Sequence, residues 1–221
     1  AMMHYHATPE DHAVLEKKGF LLVDSGATYM DGTTDITRTY PLGPLTEDEK
    51  RFYTWTLQSH IDLAKAVWLD YCECKMIDTI AREPLWRHLI NYRCGTGHSV
   101  SFVGNVHEGP HALNSRNTTR MRPGMVVTDE PGVYETDLVG IRIENELVCI
   151  HKADNQYGTF LGFEPLTFVP IATSPILPGV LDKDELAWLN DYHRQVFAKL
   201  APHLNAEERV WLAEKCASIG C

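Results

Sequence analysis

The chain has no long apolar run and no cluster of basic residues. None of its apolar stretches approaches the ~18 residues that a membrane-spanning helix needs, so we expect no integral membrane protein. Asp and Glu number 30 against 20 Lys and Arg, which gives a formal net charge of −10. Because nucleic acid is bound by a concentrated positive surface, this balance argues against nucleic acid as the main partner.

The cysteines lack the spacing of a structural site. There are 6 in 221 residues, without the paired spacing of a zinc site or the density of a disulfide scaffold. The first residues show no basic stretch followed by an apolar core, so no secretory signal is visible. We therefore expect reduced thiols and a cytoplasmic protein. A hydrophobic content of 44% is typical of a globular domain with one sizeable core.

The first recognisable elements form a hairpin. Residues 20–23 read as a short buried strand, and Asp31-Gly32 is a dipeptide suited to a two-residue turn. Residues 33–40 are rich in Thr and β-branched side chains and predict the returning strand. Folding back at this turn would bring Asp24 and Asp35 near each other across the pair.

Helices and strands alternate along the rest of the chain. Capping boxes at Thr46/Glu49, Asp182/Glu185 and Asn205/Glu208 predict three helix starts. The predicted helices cover about 46–68, 76–89, 182–200 and 205–216. Residues 124–128 and 140–150 predict strands, the second alternating between two faces. This pattern favours an α+β domain with a largely antiparallel sheet, and no low-complexity linker divides it.

Four acidic residues and one histidine share a context that suggests metal chemistry. Each lies on or beside a predicted strand or a glycine-rich loop; they are Asp24, Asp35, His98, Glu130 and Glu144. An unpaired buried carboxylate is costly, whereas four carboxylates and an imidazole suit two divalent ions. The alternative is that each is an ordinary turn or surface residue, and spacing by itself leaves the two interpretations about even.

Six motifs make the sequence resemble the catalytic domain of aminopeptidase P, a pita-bread metallopeptidase. They are VDSGA (23–27), DGTTDITRT (31–39), GTGH (95–98), NVHEGP (105–110), DEPG (129–132) and GIRIEN (140–145). The order of the motifs and the 11- and 14-residue spacings of the acidic pairs agree with the family pattern. The resemblance implies a curved, mostly antiparallel sheet flanked by helices, with two halves related by a pseudo-two-fold axis. Residues 188–193 look like the tail of the aminopeptidase P branch.

The resemblance also implies a ligand set and a reaction. Two divalent ions, expected to be Mn²⁺, would be bound by Asp24, Asp35, His98, Glu130 and Glu144. A hydroxide bridging them would attack the Xaa-Pro bond at the N-terminus of a peptide, with Glu130 shuttling the proton. His107 and His4 would line the substrate site, while Arg142 would orient a ligating carboxylate. We expect His6 and His111 to be bystanders.

Some features depart from the family pattern. We expect a single catalytic domain over 1–221, without the N-terminal domains and first helices that the family carries. Cys94 stands where histidine is usual, and Ser99 and Ser101 replace glycines after His98. None of these removes a proposed ligand.

Three alternative functions remain open. They are an Xaa-Pro dipeptidase, a methionine aminopeptidase of the same fold, and a non-catalytic pita-bread binding module. The expected partners are peptides with proline at the second position. The family suggests a homodimer, although no sequence feature here indicates one.

Overall fold

The computed structural model describes residue 3 and residues 5–220. Its ten strands are β1 (Phe20–Tyr29), β2 (Gly32–Pro41), β3 (Val67–Leu69), β4 (Gly97–His98), β5 (Ala112–Leu113), β6 (Val126–Asp129), β7 (Gly132–Glu135), β8 (Val139–Arg142), β9 (Asn145–Asn155) and β10 (Gly158–Pro165). Its four α-helices are α1 (Glu47–Ala64), α2 (Cys74–Trp86), α3 (Lys183–Leu200) and α4 (Ala206–Lys215). None of these helices has the length and apolar character needed to cross a membrane.

Every strand pair in the described part of the chain is antiparallel. The largest sheet has the order β3-β10-β9-β6, and β1-β2, β4-β5 and β7-β8 form two-stranded pieces. With four helices, this confirms the predicted α+β class. One buried apolar cluster lies between α2 and the large sheet, and a second between α1, β8 and α3. Trp188 packs against both clusters and so joins them.

The predicted hairpin is present, but its turn is one residue earlier than expected. Tyr29 pairs with Gly32, so Met30 and Asp31 form the two-residue loop and Gly32 opens β2. Gly32 has φ +145°, a conformation that L side chains rarely adopt, which explains the glycine. Strand β1 runs on to Tyr29, six residues beyond the predicted end at 23.

The predicted helix starts fit the structure better than the predicted ends. Thr46, Asp182 and Asn205 each accept a hydrogen bond from the N3 backbone amide, which confirms all three capping boxes. The prediction that the first helix runs to 68 is wrong, because Val67–Leu69 pairs with β10. Helix α2 starts and ends before the predicted 76 and 89, and Leu89 has a left-handed φ of 59°.

The single strand predicted over 140–150 is interrupted. Strand β8 ends at Arg142 and β9 begins at Asn145, so Ile143 and Glu144 form a break between two strands. At this break the Glu144 amide donates to the Thr37 carbonyl, 3.1 Å away. Strand β2 therefore lies alongside the break, and both faces of the 141–147 segment are buried.

Candidate metal centre

Five side chains from separate elements converge beside the break between β8 and β9. Asp24 lies on β1, Asp35 on β2, His98 on β4, Glu130 directly after β6 and Glu144 between β8 and β9. We call these five residues the central cluster. In the hairpin register Asp24 pairs with Thr37, two residues beyond Asp35 on β2, which makes the two carboxylates diagonal neighbours on one face.

The ligand atoms of the central cluster lie at distances that metal ions can span. Within each of three groups, one atom per residue lies within 4.8 Å of the others: Asp24/Asp35/Glu144, His98/Glu130/Glu144 and Asp35/His98/His107. His98 Nε2 is 3.4 Å from Asp35 Oδ2 and 3.2 Å from Glu130 Oε1. The first two groups share Glu144, as expected for a ligand between two neighbouring sites.

Two threonines fix the orientation of the glutamates. The Thr37 hydroxyl donates to Glu144 Oε2 over 2.5 Å. The Thr128 hydroxyl donates to Glu130 Oε1 over 3.1 Å and accepts from the His98 backbone amide over 3.0 Å. Sequence reasoning missed both threonines, although each lies two residues from a cluster member on the same strand face, a spacing that the sequence displays.

The Arg142 guanidinium lies within 4.0 Å of three carboxylates of the cluster. Its Nη2 forms an ion pair with Asp24 Oδ2, and its Nε lies 3.9 and 4.0 Å from Glu130 and Glu144. Nε also donates to the Thr37 hydroxyl over 2.9 Å, and Nη1 donates to the Tyr134 hydroxyl. The sequence suggested Arg142 as a partner of Glu144 through their shared strand face; the direct ion pair is with Asp24.

The cluster carries more negative charge than its own cations compensate. Its four carboxylates face Arg142 and one imidazole. Burial raises the pKa of Glu144 to about 9, and repulsion from Glu130 and Asp35 adds to this. Burial by itself would lower the pKa of His98, but hydrogen bonds to Asp35 and Glu130 outweigh it and raise the pKa to about 10.

This donor set fits divalent ions. A buried carboxylate that keeps its proton at neutral pH has no cation beside it to stabilise the charged form. Carboxylate oxygens and an imidazole nitrogen are ligands of hard and borderline metals. The Glu144 side chain is only 2% exposed, so bulk water cannot stabilise its charge. Two divalent ions would compensate this charge.

The predicted histidines have different outcomes. His107 is exposed, and its ring centroid lies 3.7 Å from that of His98, so it stands at the open side of the cluster. His4 lies outside the described residues, and its predicted role stays a prediction. His6 is exposed. His111, expected like His6 to be a bystander, is buried at 7% exposure, and that expectation stays a prediction.

A buried polar network behind the cluster was also missed. Arg38, 3% exposed, donates to the carbonyls of Thr37 and Glu144 and to Asn145 Oδ1. Asn145 in turn donates to His60 Nε2 over 3.2 Å. Arg38 is 106 and 107 residues from Glu144 and Asn145, and Asn145 is 85 residues from His60, so no local pattern connects these groups.

Comparisons with known proteins identify the family of this chain. Residues 1–151 match the model of metallopeptidase family M24, and residues 159–219 match the C-terminal region of peptidase M24. The chain belongs to metallopeptidase family M24. The resemblance inferred from the motifs is thus confirmed at the level of the family.

Curated relatives of this M24 chain are considerably longer than it is. A probable Xaa-Pro aminopeptidase P of Laccaria bicolor is 40% identical over 99% of the chain and 35% of the relative. Aminopeptidase P1 of Lotus japonicus is 41% identical over 100% of the chain and 34% of the relative. The chain spans about a third of the length of the curated relatives it matches.

Solved structures share the fold of the M24 chain. X-prolyl aminopeptidase from Caenorhabditis elegans, described as a cytosolic enzyme with a di-nuclear active site, superposes with a TM-score of 0.85 at 39% identity. That match covers 90% of this chain and 33% of the other. Prolidase from Pyrococcus furiosus gives a TM-score of 0.59 at 28% identity, covering 69% and 42%. The fold is the pita-bread fold that the resemblance implied.

Proposed function

We propose that this chain carries the catalytic centre of a metal-dependent aminopeptidase that removes the first residue from peptides with proline at the second position. The observation that carries the proposal is the central cluster, in which two ligand groups share Glu144. The names of the curated relatives support the Xaa-Pro specificity, and the di-nuclear site of the C. elegans enzyme supports two ions.

We propose Asp24, Asp35, His98, Glu130 and Glu144 as the ligands and Mn²⁺ as the metal. Carboxylate oxygens suit Mn²⁺, Mg²⁺ and Ca²⁺, and the imidazole favours the transition metal among these. Two such ions would acidify a water molecule and polarise the carbonyl of the substrate. Arg142 would hold Asp24, and Thr37 would hold Glu144, in the orientation that binding needs.

Glu130 is the better candidate for moving the proton during hydrolysis. Its side chain is 22% exposed, whereas that of Glu144 is 2% exposed and accepts from Thr37. A proton-transfer group must reach both the attacking water and the leaving amine, which favours the more accessible carboxylate. His107, whose ring lies beside that of His98, would orient the scissile amide.

Peptide hydrolysis tests the function directly. After chelation, the protein is incubated with Ala-Pro-Ala, Ala-Ala-Ala, the dipeptide Ala-Pro and Met-Ala-Ser, each with and without Mn²⁺. We expect Mn²⁺-dependent release of alanine from Ala-Pro-Ala. Cleavage of the dipeptide alone would indicate a dipeptidase, cleavage of Met-Ala-Ser alone a methionine aminopeptidase, and cleavage of none a binding module.

A matched pair of variants assigns the activity to the site. Glu130→Gln keeps the size of the side chain but removes the charge, and we expect a loss of hydrolysis by at least about 100-fold. Glu135→Gln makes the same change at an exposed position at the end of β7 and should leave hydrolysis unchanged. Equal activity of the two variants would show that the site is wrongly assigned.

We also propose a cytosolic location and a homodimer. The location is supported by the description of the C. elegans enzyme as cytosolic. The dimer follows only from the resemblance to aminopeptidase P. Light scattering coupled to size exclusion checks it, because a dimer would have twice the chain mass of 25.0 kDa.

A further inference from the structure

A cleft of about 530 Å³ lies beside the central cluster. Its walls are the start of β2, the segment after His98, the start of β6 and the Glu146 side chain of β9. This volume is within the range of small-ligand sites, about 300–1,000 Å³. Two carboxylates, Asp31 and Glu146, line the cleft, and no lysine or arginine does so among the described residues.

Three buried polar groups in the wall of this cleft have no hydrogen-bond partner. They are Glu146 Oε1, His111 Nδ1 and the Ser101 hydroxyl. Glu146 and His111 are 8% and 7% exposed, so both are more than nine-tenths buried. A buried polar atom without a partner costs free energy, and in a native protein it points to a ligand or an ordered water.

All three groups accept hydrogen bonds. His111 Nε2 lies 2.7 Å from the Val126 carbonyl, which can only accept, so Nε2 carries the hydrogen and Nδ1 presents a lone pair. The Glu146 carboxylate accepts, and the Ser101 hydroxyl can accept. The matching ligand is a hydrogen-bond donor, and the carboxylates favour one with positive charge.

The cleft lies on the same sheet face as the proposed ligands. Glu146 follows Glu144 by two residues and pairs with Thr128, whose hydroxyl contacts both Glu130 and His98. Thr33 in the cleft precedes Asp35 by two residues on β2. Two residues along a strand span about 7 Å, so the cleft begins about 7 Å from the central cluster.

The backbone of Glu146 is firmly held. Its amide donates to the Thr167 hydroxyl over 2.8 Å, and its carbonyl accepts from Leu166 over 2.8 Å. These two hydrogen bonds fix the backbone from which the Glu146 side chain extends at the wall of the cleft. Apolar groups complete this wall, from Phe102, Met125, Val126 and Leu166. Such a surface suits the methylene stem of a lysine or arginine below its charged head.

We propose that this cleft receives the side chain of the first substrate residue and that Glu146 selects lysine or arginine there. The inference rests on the proposed aminopeptidase function and adds a substrate class to it. Glu146 and His111 accept hydrogen bonds from the ammonium or guanidinium group, and the apolar wall packs against its stem. Charge-assisted hydrogen bonds to a buried carboxylate supply the preference.

The test compares arginine with citrulline, its neutral near-isostere. Hydrolysis of Arg-Pro-Ala and citrulline-Pro-Ala by the Mn²⁺-loaded protein is measured as kcat/KM, and binding of free arginine and citrulline is measured by calorimetry. We expect arginine to be favoured by about tenfold or more in both measurements. In Glu146→Gln the preference for arginine over citrulline should fall close to one in both measurements.

Glu164→Gln is the matched control, because Glu164 is exposed on the neighbouring strand β10. It should keep the full preference. An unaltered protein that cleaves and binds the two ligands equally overturns the inference, whether or not Glu146→Gln folds. If the unaltered protein cleaves neither these peptides nor Ala-Pro-Ala, the proposed function itself has failed.

Discussion

Single residues in the central cluster differ in how many ligand groups they serve. Asp35 belongs to two of the three groups, one with Asp24 and one with His98. We predict that Asp35→Ala abolishes the binding of two metal ions, because it removes a carboxylate from both of the ligand groups that contain Asp35. Metal content after Mn²⁺ loading and dialysis measures this directly.

Asp154→Ala is the control for this prediction. Asp154 is exposed near the end of β9, where it contacts His151 and lies opposite Thr159 of β10, far along the strand from the central cluster. This variant should bind as much Mn²⁺ as the unaltered protein. Retention of two ions by Asp35→Ala would mean that the ligand set is misplaced.

Arg142 contributes through geometry as well as charge. Its planar guanidinium contacts Asp24, Thr37 and Tyr134 at once, which a lysine ammonium cannot do. We predict that Arg142→Lys weakens Mn²⁺ binding by about 10- to 100-fold while the fold persists. Calorimetric titration measures the affinity. Tyr134→Phe removes only one of the three contacts and should have a smaller effect; an equal effect would contradict this account.

At the level of elements, strand β4 is positioned by close backbone approach. A Cβ built on Gly97 would lie 1.8 Å from the Thr128 carbonyl oxygen, so no side chain fits between β4 and β6. We predict that Gly97→Ala displaces His98 and lowers the metal content, although Gly97 is not a ligand. Metal analysis and circular dichroism separate loss of metal from loss of fold.

Gly95 provides the comparison within the same motif. A Cβ there would meet the Leu113 carbonyl at 3.5 Å, an ordinary contact, and its φ is not in the left-handed region. Gly95→Ala should therefore retain both metal and fold. If the two variants lost metal equally, crowding against Thr128 would not be the reason.

The sequence predicts element starts because their signals are local. Each capping box lies within four residues, as at Thr46 and Glu49, and the structure contains all three. Helix α1 ends at Ala64 because the following residues pair with β10, about 90 residues away in the chain. The break at Glu144 likewise depends on strand β2, which the 140–150 pattern does not reveal.

In the metal site, too, local sequence signals are predictable and contacts between distant residues are not. Motifs and spacing identify the five members of the central cluster, since each motif is contiguous. The pairing of Arg142 with Asp24 joins residues 118 apart, and the roles of Glu146 and His111 depend on which cleft they line. Only the tertiary structure brings these groups together.

At the level of the whole molecule, the buried charges predict how stability depends on pH. Without metal, Glu144 and His98 have folded pKa values of about 9 and 10, above their ordinary values of 4.5 and 6.5. Between about pH 7 and 9 the folded protein therefore holds protons that the unfolded chain has lost, so stability falls as pH rises. We predict a decreasing Tm across this range in chelator.

Bound ions should remove this dependence. Mn²⁺ competes with protons for the same atoms, so its affinity rises with pH and offsets the loss. The Tm with Mn²⁺ should be flat or rising over the same range, as measured by calorimetry. The window begins at about pH 7 because His193, whose pKa burial lowers to about 4, has the opposite effect below it. A Tm that rises with pH in chelator would contradict the assignment.

The guanidinium of Arg38 connects distant parts of the chain. Besides the Glu144 carbonyl, it contacts the carbonyls of Val169 and Pro170 and the Tyr192 hydroxyl. The backbone that presents Glu144 is thus tied to a helix 154 residues away from Arg38 in the sequence. During synthesis on the ribosome, residues up to Pro41 emerge long before α3 does. We expect the nascent chain to acquire metal only after Tyr192 has left the exit tunnel, so that metal loading follows the synthesis of α3.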